Sequence, residues 1–380
     1  MFDKVLILSA SAGAGHVRAA EAVAEACRAL GAAREVRHVD TLTYTNKVFR
    51  HLYGKAYLEL VNSAPAALGW LYDYMDRPWR NERRRLALDR LNTRPFVKLL
   101  KEYRPDITVC THFLPAEIIS WLKAKERFAA PQAVVVTDFD VHAMWLCRHY
   151  EQYFVALEET RVHLARLGVP AEKITVSGIP IDPRFAEAKD KRAMRAKHGL
   201  DPARVCLLLS AGGFGVGSVE HVIEALAALA HPAQVVAVCG RNEELRARLA
   251  QRAESFGADA RVRLKVLGYT TEMDELMAAA DILIGKPGGL TTSEALARGL
   301  VLCVVNPIPG QEERNSDHLL EEGAALRCNN LPALAYKLDR LLDDPARFAA
   351  MQQNARRLGH PRAAFDIVNK LLALQGQATS

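Results

Sequence analysis

The stretch VLILSASAGAGHVRAAEAV, residues 5–23, decides the fold of this chain. A short apolar run is followed by two glycines, a histidine and an alanine-rich segment, which predicts a buried strand, a tight turn and a helix. Gly13 and Gly15 let the backbone approach a ligand, and a helix N-terminus favours an oxyanion or phosphate. His16 would face that ligand from the end of the strand. A tight turn without chemistry is the alternative, because Arg18 replaces the last glycine of G-x-G-x-x-G.

Apolar runs of the same kind recur along the chain, with helical stretches between them. Strands that alternate with helices predict parallel sheets covered by helices on both faces. Each half holds about six such runs, which fits two Rossmann-like, doubly wound α/β domains. The predicted strands are residues 5–10, 35–40, 106–113, 132–139, 153–157 and 173–178 in the first half, and 205–213, 234–240, 261–268, 281–285, 301–307 and 324–328 in the second.

The domain boundaries follow from a segment rich in charge and proline near the middle of the chain. It predicts a linker over residues 181–202, between an N-terminal domain (1–180) and a C-terminal domain (203–358). Residues 359–380 are predicted to form a helix that packs back on the N-terminal domain. Ligands of such sheets sit at the carboxyl ends of the strands, so two facing domains would enclose a cleft.

Composition indicates a globular chain and argues against a membrane span. Of its 380 residues, 50% are hydrophobic and 25% are charged, and the net charge is +6. No apolar run approaches the roughly 18–20 residues of a span. Asp3 and Lys4 interrupt the N-terminal apolar run, which is too short for a signal peptide. The 7 cysteines form no C-x-x-C pair, which favours a reducing cytoplasm over disulfides or structural zinc.

Three loops of the second half share the pattern of the opening stretch, in which a glycine-containing loop follows a predicted strand and precedes a predicted helix. SAGGFGVGS, residues 210–218, follows the first strand of this half. In GKPGGLTTSEALA, residues 285–297, Glu294 can either accept hydrogen bonds from ribose hydroxyls or act as a helix-capping carboxylate. In PIPGQEERN, residues 307–315, Gln311 and Glu312 offer donors and acceptors for sugar hydroxyls, or form a solvated helix start. Glycine loops in both halves would face each other across the cleft.

Two acidic residues follow the fourth predicted strand. Asp138 and Asp140 stand two apart, with His142 beyond them. A D-x-D pair can hold Mg²⁺ on a diphosphate. We expect no metal here, because only one of the two carboxylates needs to point into the cleft.

An aromatic and basic stretch interrupts the alternation of strands and helices. Residues 44–79 carry eight of the 26 aromatic side chains, on helical spacing. Residues 77–104 carry ten basic and three acidic side chains, an excess of seven that exceeds the net charge of the whole chain. Amphipathic helices beside a basic cluster are typical of docking on anionic membranes. The alternatives are a helical hairpin that covers the sheet with a solvated basic face and, more weakly, a nucleic-acid surface.

These motifs together resemble glycosyltransferase family 28, in the branch of the monogalactosyldiacylglycerol synthases and processive diacylglycerol glucosyltransferases. The resemblance runs nearly from end to end, and "GKPGGLTTSEALA" with "PIPGQEERN" is its most specific part. It is carried by Gly15-His16, Thr137-Asp138, His142, Trp145, Gly178-Ile179-Pro180, Gly212-Gly213, Gly268-Tyr269, Lys286-Pro287-Gly288-Gly289 and Gln311-Glu312.

The resemblance implies a GT-B fold, a UDP-sugar donor, a single inverting displacement and a lipid acceptor. His16 falls on the family's essential histidine, and His16 or Asp138 would take the proton of the acceptor hydroxyl. The implied donor-site residues are Gly13, Gly15, Gly212, Gly213 and Tyr269 (uracil), Lys286, Pro287, Gly288, Gly289, Leu290, Thr291, Glu294 (ribose), and Gln311 and Glu312 (hexose). Acceptor and membrane contacts are expected from Phe49, Tyr53, Tyr57, Trp70, Trp79, Arg83, Arg84, Arg85, His142 and Trp145.

The expected partners are a UDP-sugar, a lipid, most readily 1,2-diacylglycerol, and an anionic membrane surface at the inner face of the cell membrane. We expect no obligatory cofactor and no nucleic acid. Two other classes of function fit the same fold: a UDP-sugar epimerase and a silent sugar-nucleotide-binding protein. Within transferases, an N-acetylglucosamine donor with another lipid acceptor is the alternative.

Overall fold

The computed structural model describes residues 1–46, 50, 65–78, 93–210, 219–254, 256 and 260–378. Within them the chain forms two parallel six-stranded sheets, one in each half. The first sheet contains β1 (Phe2–Ser9), β2 (Ala33–Asp40), β3 (Ile107–Cys110), β4 (Gln132–Val135), β5 (Gln152–Val155) and β6 (Ile174–Val176). The second contains β7 (Val205–Ser210), β8 (Ala233–Val238), β9 (Val262–Leu267), β10 (Ile282–Gly285), β11 (Val301–Val305) and β12 (Ala325–Cys328).

The described helices lie between these strands and after the last one. They are α1 (Ala14–Ala29), α2 (Pro65–Met75), α3 (Arg94–Tyr103), α4 (Phe113–Ala124), α5 (Glu158–Arg166), α6 (Lys191–Lys197), α7 (Val219–Leu226), α8 (Glu243–Glu254), α9 (Met273–Ala279), α10 (Gly289–Ala297), α11 (Gln311–Glu321), α12 (Leu334–Leu342), α13 (Pro345–Leu358) and α14 (Ala363–Ala378). None of these helices combines the length and apolar character needed to cross a bilayer.

All twelve predicted strands are present, and several end earlier than predicted. The third ends at Cys110 and the fourth at Val135, three and four residues short. Both are buried at every position, because helices cover the two faces of a parallel sheet. The apolar run continues beyond β4 because the loop after it is buried too, with Val136 0% and Phe139 5% exposed. Apolar residues in these loops reflect burial between the domains, not further strand.

Strand order places the ligand crevice of each sheet. The second sheet runs β12-β11-β10-β7-β8-β9, so its connections change direction between β7 and β10. The first runs β2-β1-β3-β4-β5-β6 and changes direction between β1 and β3. Ligands of doubly wound sheets bind outside the carboxyl ends of strands at such a point. The loop before α10 and the loop between β1 and α1 therefore lie at the two crevices.

The predicted linker contains a helix that belongs structurally to the C-terminal half. From α6, Arg195 donates to the carbonyl oxygen of Ala279 and pairs with Asp281. Lys191 pairs with the same carboxylate, which also accepts the backbone N–H of Cys206 at 2.7 Å. Asp281 thus fixes α6 to the start of β7, and the linker is anchored rather than loose.

The last helix returns to the N-terminal half. The inward face of α14 completes a core that includes Val5 and Ile7 from β1 and several alanines of α1. Just before it, His360 packs so close to Gly178 that a Cβ there would lie 2.3 Å from the Cβ of His360. Gly178 also has φ +79°, so both its backbone conformation and the neighbouring His360 exclude a side chain at this position. The chain therefore passes between the two halves at two neighbouring places.

The two halves come into close contact at the first residue of α10. A Cβ on Gly289 would lie 2.3 Å from the carbonyl oxygen of Thr137 in the N-terminal half. Nearby, the buried side chain of Asn315 accepts from the backbone N–H of Phe139 at 3.2 Å and donates to the Pro287 carbonyl at 3.0 Å. Glycine at position 289 is thus required by the contact between the domains.

We predict that Gly289→Ala destabilises the protein by about 1–3 kcal/mol, because the new methyl group overlaps a backbone oxygen that cannot move freely. Thermal unfolding followed by circular dichroism measures the change. Gly376→Ala is the control, because a Cβ there has no atom within 4 Å and alanine favours a helix. A Gly289→Ala protein as stable as the wild type would contradict the closeness of this contact.

Candidate active site

His16 lies at the junction of the first loop and α1, beside the end of β3. Its Nδ1 is 3.1 Å from the carbonyl oxygen of Thr111 and 2.8 Å from Oγ1 of Thr137. The hydroxyl of Thr111 donates back to the His16 carbonyl at 2.8 Å. The segments that follow β1, β3 and β4 therefore hold this ring together, because these three strands are neighbours in the sheet.

These contacts set the tautomer of His16. A carbonyl oxygen only accepts, so Nδ1 carries the proton and the Thr137 hydroxyl oxygen shares it. Nε2 then carries a lone pair, and no described residue forms a hydrogen bond with it. Burial lowers the pKa of His16 to about 4, because it removes the ring from water. The hydrogen bond to the Thr111 carbonyl has a smaller effect and raises the pKa. The ring is neutral at physiological pH, with Nε2 ready to accept a proton.

Aromatic rings surround His16 on the N-terminal side. The ring of His112 lies edge-on to it at 4.6 Å, and that of Trp145 lies at 6.3 Å. His112 is buried and its Nδ1 accepts the backbone N–H of Leu114 at 3.0 Å, which caps α4. Burial, and secondarily the neighbouring His16, hold the pKa of His112 well below its usual range. Trp145 therefore lies beside the His16 ring, together with His112.

The two aspartates of the D-x-D pair bind different partners from the second domain. Gln311 donates its side-chain amide to Oδ1 of Asp138, and Arg314 donates to Oδ2 of Asp140 at 2.7 Å. Burial raises the pKa of Asp138 to about 7, although the Gln311 bond opposes the rise. Within the described residues the two carboxylates belong to no cluster suited to a metal; the one such cluster, His198 with Glu272 and Glu275, already contains the ammonium of Lys197.

Glu294 lies in α10 with its side chain only 1% exposed. Its Oε1 pairs with the guanidinium of Arg18 from α1, across the cleft. No described residue forms a hydrogen bond with its Oε2. The capping alternative is wrong, because α10 begins at Gly289 and its first turn contains no acidic residue. Burial raises the pKa of Glu294 to about 7, and Arg18 opposes the rise most strongly.

The loop before α11 forms the far wall of the same crevice. Glu312 accepts the backbone N–H of Ile308 at 2.7 Å, and its Oε1 lies 3.7 Å from the Cβ position of Gly288. Burial raises the pKa of Glu312. The hydrogen bond from the Ile308 backbone opposes this rise, and the charge of Lys286 opposes it more weakly. Tyr269 is 64% exposed, with the guanidinium of Arg241 5.2 Å from its ring. The predicted hexose and nucleobase residues thus border the carboxyl ends of β9, β10 and β11.

The helix α2 joins the two domains beside this loop. A Cβ on Gly310 would lie 2.9 Å from the ring of Tyr72, and Arg314 lies 5.2 Å over that ring. His142 donates from Nε2 to the Tyr72 carbonyl at 2.9 Å and accepts the backbone N–H of Met144 at Nδ1. Because both ring nitrogens of His142 are engaged with backbone groups, its place is to hold α2 on the N-terminal domain.

Several predicted residues lie outside the residues that the structure describes. They are Gly212 and Gly213 of the second glycine loop, and Phe49, Tyr53, Tyr57, Trp79, Arg83, Arg84 and Arg85 of the aromatic and basic stretch. Of the described ones, Gly15 approaches Leu290 across the cleft, with its Cβ position 3.9 Å from the Cβ of Leu290. Gly13 precedes α1, and Thr291 lies half-buried in the first turn of α10.

Sequence reasoning missed the residues that join the domains. Arg18, Tyr72, Arg314 and Asn315 carry the contacts described above. Arg314 and Asn315 stand at the end of PIPGQEERN, but the motif does not indicate that they bind the other domain. One signal was available for Asn315, which follows Gln311 by four residues and so lies on the same face of α11. Arg18 and Glu294 are 276 residues apart, and no local pattern relates them.

Two facing doubly wound domains, each with a crevice at the carboxyl ends of its strands, define the GT-B fold. The family profile described as Monogalactosyldiacylglycerol (MGDG) synthase matches residues 16–181, and the one described as Glycosyl transferases group 1 matches residues 190–358. The chain belongs to the family of the monogalactosyldiacylglycerol synthases and processive diacylglycerol glucosyltransferases, within glycosyltransferase family 28.

Individual relatives cover nearly the whole chain. The processive diacylglycerol beta-glucosyltransferase of Bacillus mycoides is 33% identical over 378 residues, which span 97% of this chain and 93% of the relative. That of Bacillus licheniformis is 30% identical over 355 residues, 93% of this chain and 90% of the relative. The crystal structure of Acinetobacter baumannii MurG has a TM-score of 0.61 at 17% identity, with 97% of this chain and 98% of that chain covered. This last likeness shows the fold.

We predict that His16 is the Nδ1–H tautomer and remains neutral down to about pH 5, because its carbonyl contact requires a donor and burial opposes the charged form. Long-range ¹⁵N correlation spectra of the histidine rings, recorded across pH, report both properties. The ring of the exposed His149 supplies the internal reference signal in the same spectra. A protonated Nε2 at neutral pH would contradict the assignment.

Proposed function

We propose that the protein transfers a hexose from a UDP-sugar to 1,2-diacylglycerol with inversion, which gives a β-glycosyldiacylglycerol. One observation carries the proposal: His16 is oriented through Nδ1 by Thr137, whose carbonyl oxygen packs against Gly289 at the start of α10. An acceptor hydroxyl between them would meet a base on one side and an anomeric carbon on the other. The full-length relatives are named glucosyltransferases, which favours UDP-glucose over UDP-galactose.

The donor site is supported by the polarity of the groups at the second crevice. The N-terminus of α10 presents backbone N–H groups beside Gly289 and Leu290, and these favour a diphosphate. Glu294 offers a carboxylate oxygen for ribose, and Gln311 with Glu312 offers polar atoms for the hexose. Backbone donors at a helix N-terminus stabilise the charge that grows on departing UDP without a metal.

The reaction needs a single displacement. The acceptor hydroxyl attacks the anomeric carbon, the bond to the UDP oxygen breaks, and the hydroxyl proton passes to Nε2 of His16. The diphosphate brings negative charge close to His16 and so raises the pKa of this ring towards neutrality. Asp138 is the less suitable base, because Gln311 already occupies one of its oxygens.

Access to a membrane-bound acceptor is supported by α2. Trp70 is 68% exposed and stacks on Tyr74, which is 45% exposed, at 5.5 Å. Arg77 lies 5.6 Å from the Tyr74 ring. An exposed aromatic pair with a neighbouring cation suits the interface of an anionic membrane. The opposite side of α2 contacts Gly310, next to the proposed hexose residues, so the membrane-facing helix borders the donor.

We predict glycosyldiacylglycerol formation when the protein is incubated with UDP-glucose and liposomes that contain diacylglycerol. His16→Ala should lower turnover by roughly 10²–10⁴ and leave the Kd for UDP near that of the wild type. His149→Ala, at an exposed site, should behave as the wild type. Lipid chromatography and calorimetry measure the two quantities.

Three results would change this proposal. Near-normal turnover of His16→Ala combined with inactive Asp138→Asn would move the base to Asp138. Loss of activity in excess EDTA would demand a metal. Free sugar isomers formed without any acceptor would indicate an epimerase, and absence of turnover with every lipid would indicate a binding protein.

We also predict that binding is strong on anionic liposomes, weak on neutral ones and reduced by salt, with about 1 kcal/mol from each basic residue near the surface. Trp70→Ala should remove a salt-resistant part of the binding and leave UDP affinity unchanged. Tyr336→Ala, an exposed aromatic on α12 of the other domain, is the matched control. Equal flotation with both kinds of liposome would rule out this docking mode.

A further inference from the structure

The carboxylate of Glu294 is buried, and only one of its two oxygens has a hydrogen-bond partner among the described residues. Oε1 is bound by Arg18, whereas Oε2 lies in the crevice with no hydrogen-bond partner among the described residues. A buried carboxylate oxygen without a hydrogen-bond donor destabilises the protein, because the oxygen has lost its water and gained no partner. Such an atom in a donor crevice indicates a ligand hydroxyl as its missing partner.

Arg18 comes from the opposite domain and, unlike Glu294, is partly exposed to solvent. Its side chain is 42% exposed, and Glu294 is its hydrogen-bond partner. The charged groups around the carboxylate are Arg18, Arg184, Asp182 and Asp274. Arg18 is the one that most favours the ionised form, while the two aspartates oppose it. Arg184 is paired with Asp182.

The two helices place this pair one turn inside their N-termini. Arg18 follows Gly15 by three residues on α1, and Glu294 follows Leu290 by four residues on α10. Gly15 and Leu290 approach each other across the cleft, and each helical turn adds about 5.4 Å along its axis. Arg18 and Glu294 therefore meet one turn away from the helix ends where the diphosphate is proposed, at the level expected for a ribose.

We propose that Arg18 is a positioning residue of the donor site, which holds Oε1 of Glu294 so that Oε2 receives the ribose hydroxyls. The proposal rests on the proposed function, because it needs a nucleotide in this crevice. Arg18 itself does not touch the nucleotide. The N-terminal domain thus takes part in nucleoside recognition through an ion pair, and donor binding favours the closed arrangement in which that pair exists.

The experiment separates the contribution of the two ribose hydroxyls from the overall affinity for the nucleotide. Calorimetry gives the Kd of UDP and of 2′,3′-dideoxy-UDP, and their ratio measures what the hydroxyls contribute. In the wild type we expect the dideoxy nucleotide to bind roughly 10- to 100-fold more weakly. Glu294→Gln should reduce this ratio. Arg18→Gln should reduce it by at least about fivefold, and Arg18→Lys should retain part of it, because a cation remains.

Arg28→Gln is the matched control, since Arg28 is an exposed arginine in the last turn of the same helix. It should leave the ratio unchanged. If Arg18→Gln weakens both nucleotides equally, Arg18 has only a structural role and the inference is overturned. If Glu294→Gln also leaves the ratio unchanged, the ribose assignment in the proposed function fails. If the wild type binds no UDP, the proposed donor itself is wrong.

Discussion

The active site depends on the contact between the first residue of α10 and the Thr137 carbonyl. At this point the two domains touch through backbone atoms, and only a glycine permits it. Several polar pairs also connect the two domains: Arg18 with Glu294, Gln311 with Asp138, Arg314 with Asp140, and Asn315 with the backbone on both sides. Close packing of backbone atoms leaves little freedom at this point, so the contact fixes how the two domains face each other.

The charges of the cleft suit the proposed UDP-sugar donor, whose leaving group gains negative charge during transfer. His16 is neutral, and the burial of Asp138 and Glu294 raises the pKa of each towards 7. Helix N-termini supply positive potential from fixed dipoles, which need no reorganisation during reaction. Asp138 accepts the Gln311 amide and Glu294 pairs with Arg18. In the proposed reaction these buried acids are therefore separate from the helix N-termini that stabilise the leaving diphosphate.

The sequence predicts the features that depend on neighbouring residues. Apolar runs with glycine loops after them identified all twelve strands and both crevices, because burial and turn geometry are local. The ends of β3 and β4 were overestimated, since cleft loops such as the one containing Phe139 are as apolar as strands. The role of Arg18 could not be predicted, because its partner is 276 residues away and an arginine on a helix is ordinarily solvated. The capping alternative for Glu294 failed once the start of α10 was known.

The return of α14 to the first domain has a consequence for biosynthesis. The C-terminal domain is complete once residues 191–358 have emerged from the ribosome, because its sheet and covering helices lie within that range. The N-terminal half must wait, since Ile367, Val368 and Leu371 complete the core against β1 and α1. The usual order of folding during synthesis, first domain first, cannot complete the first domain here, because the half that carries His16 lacks part of its core until α14 is translated.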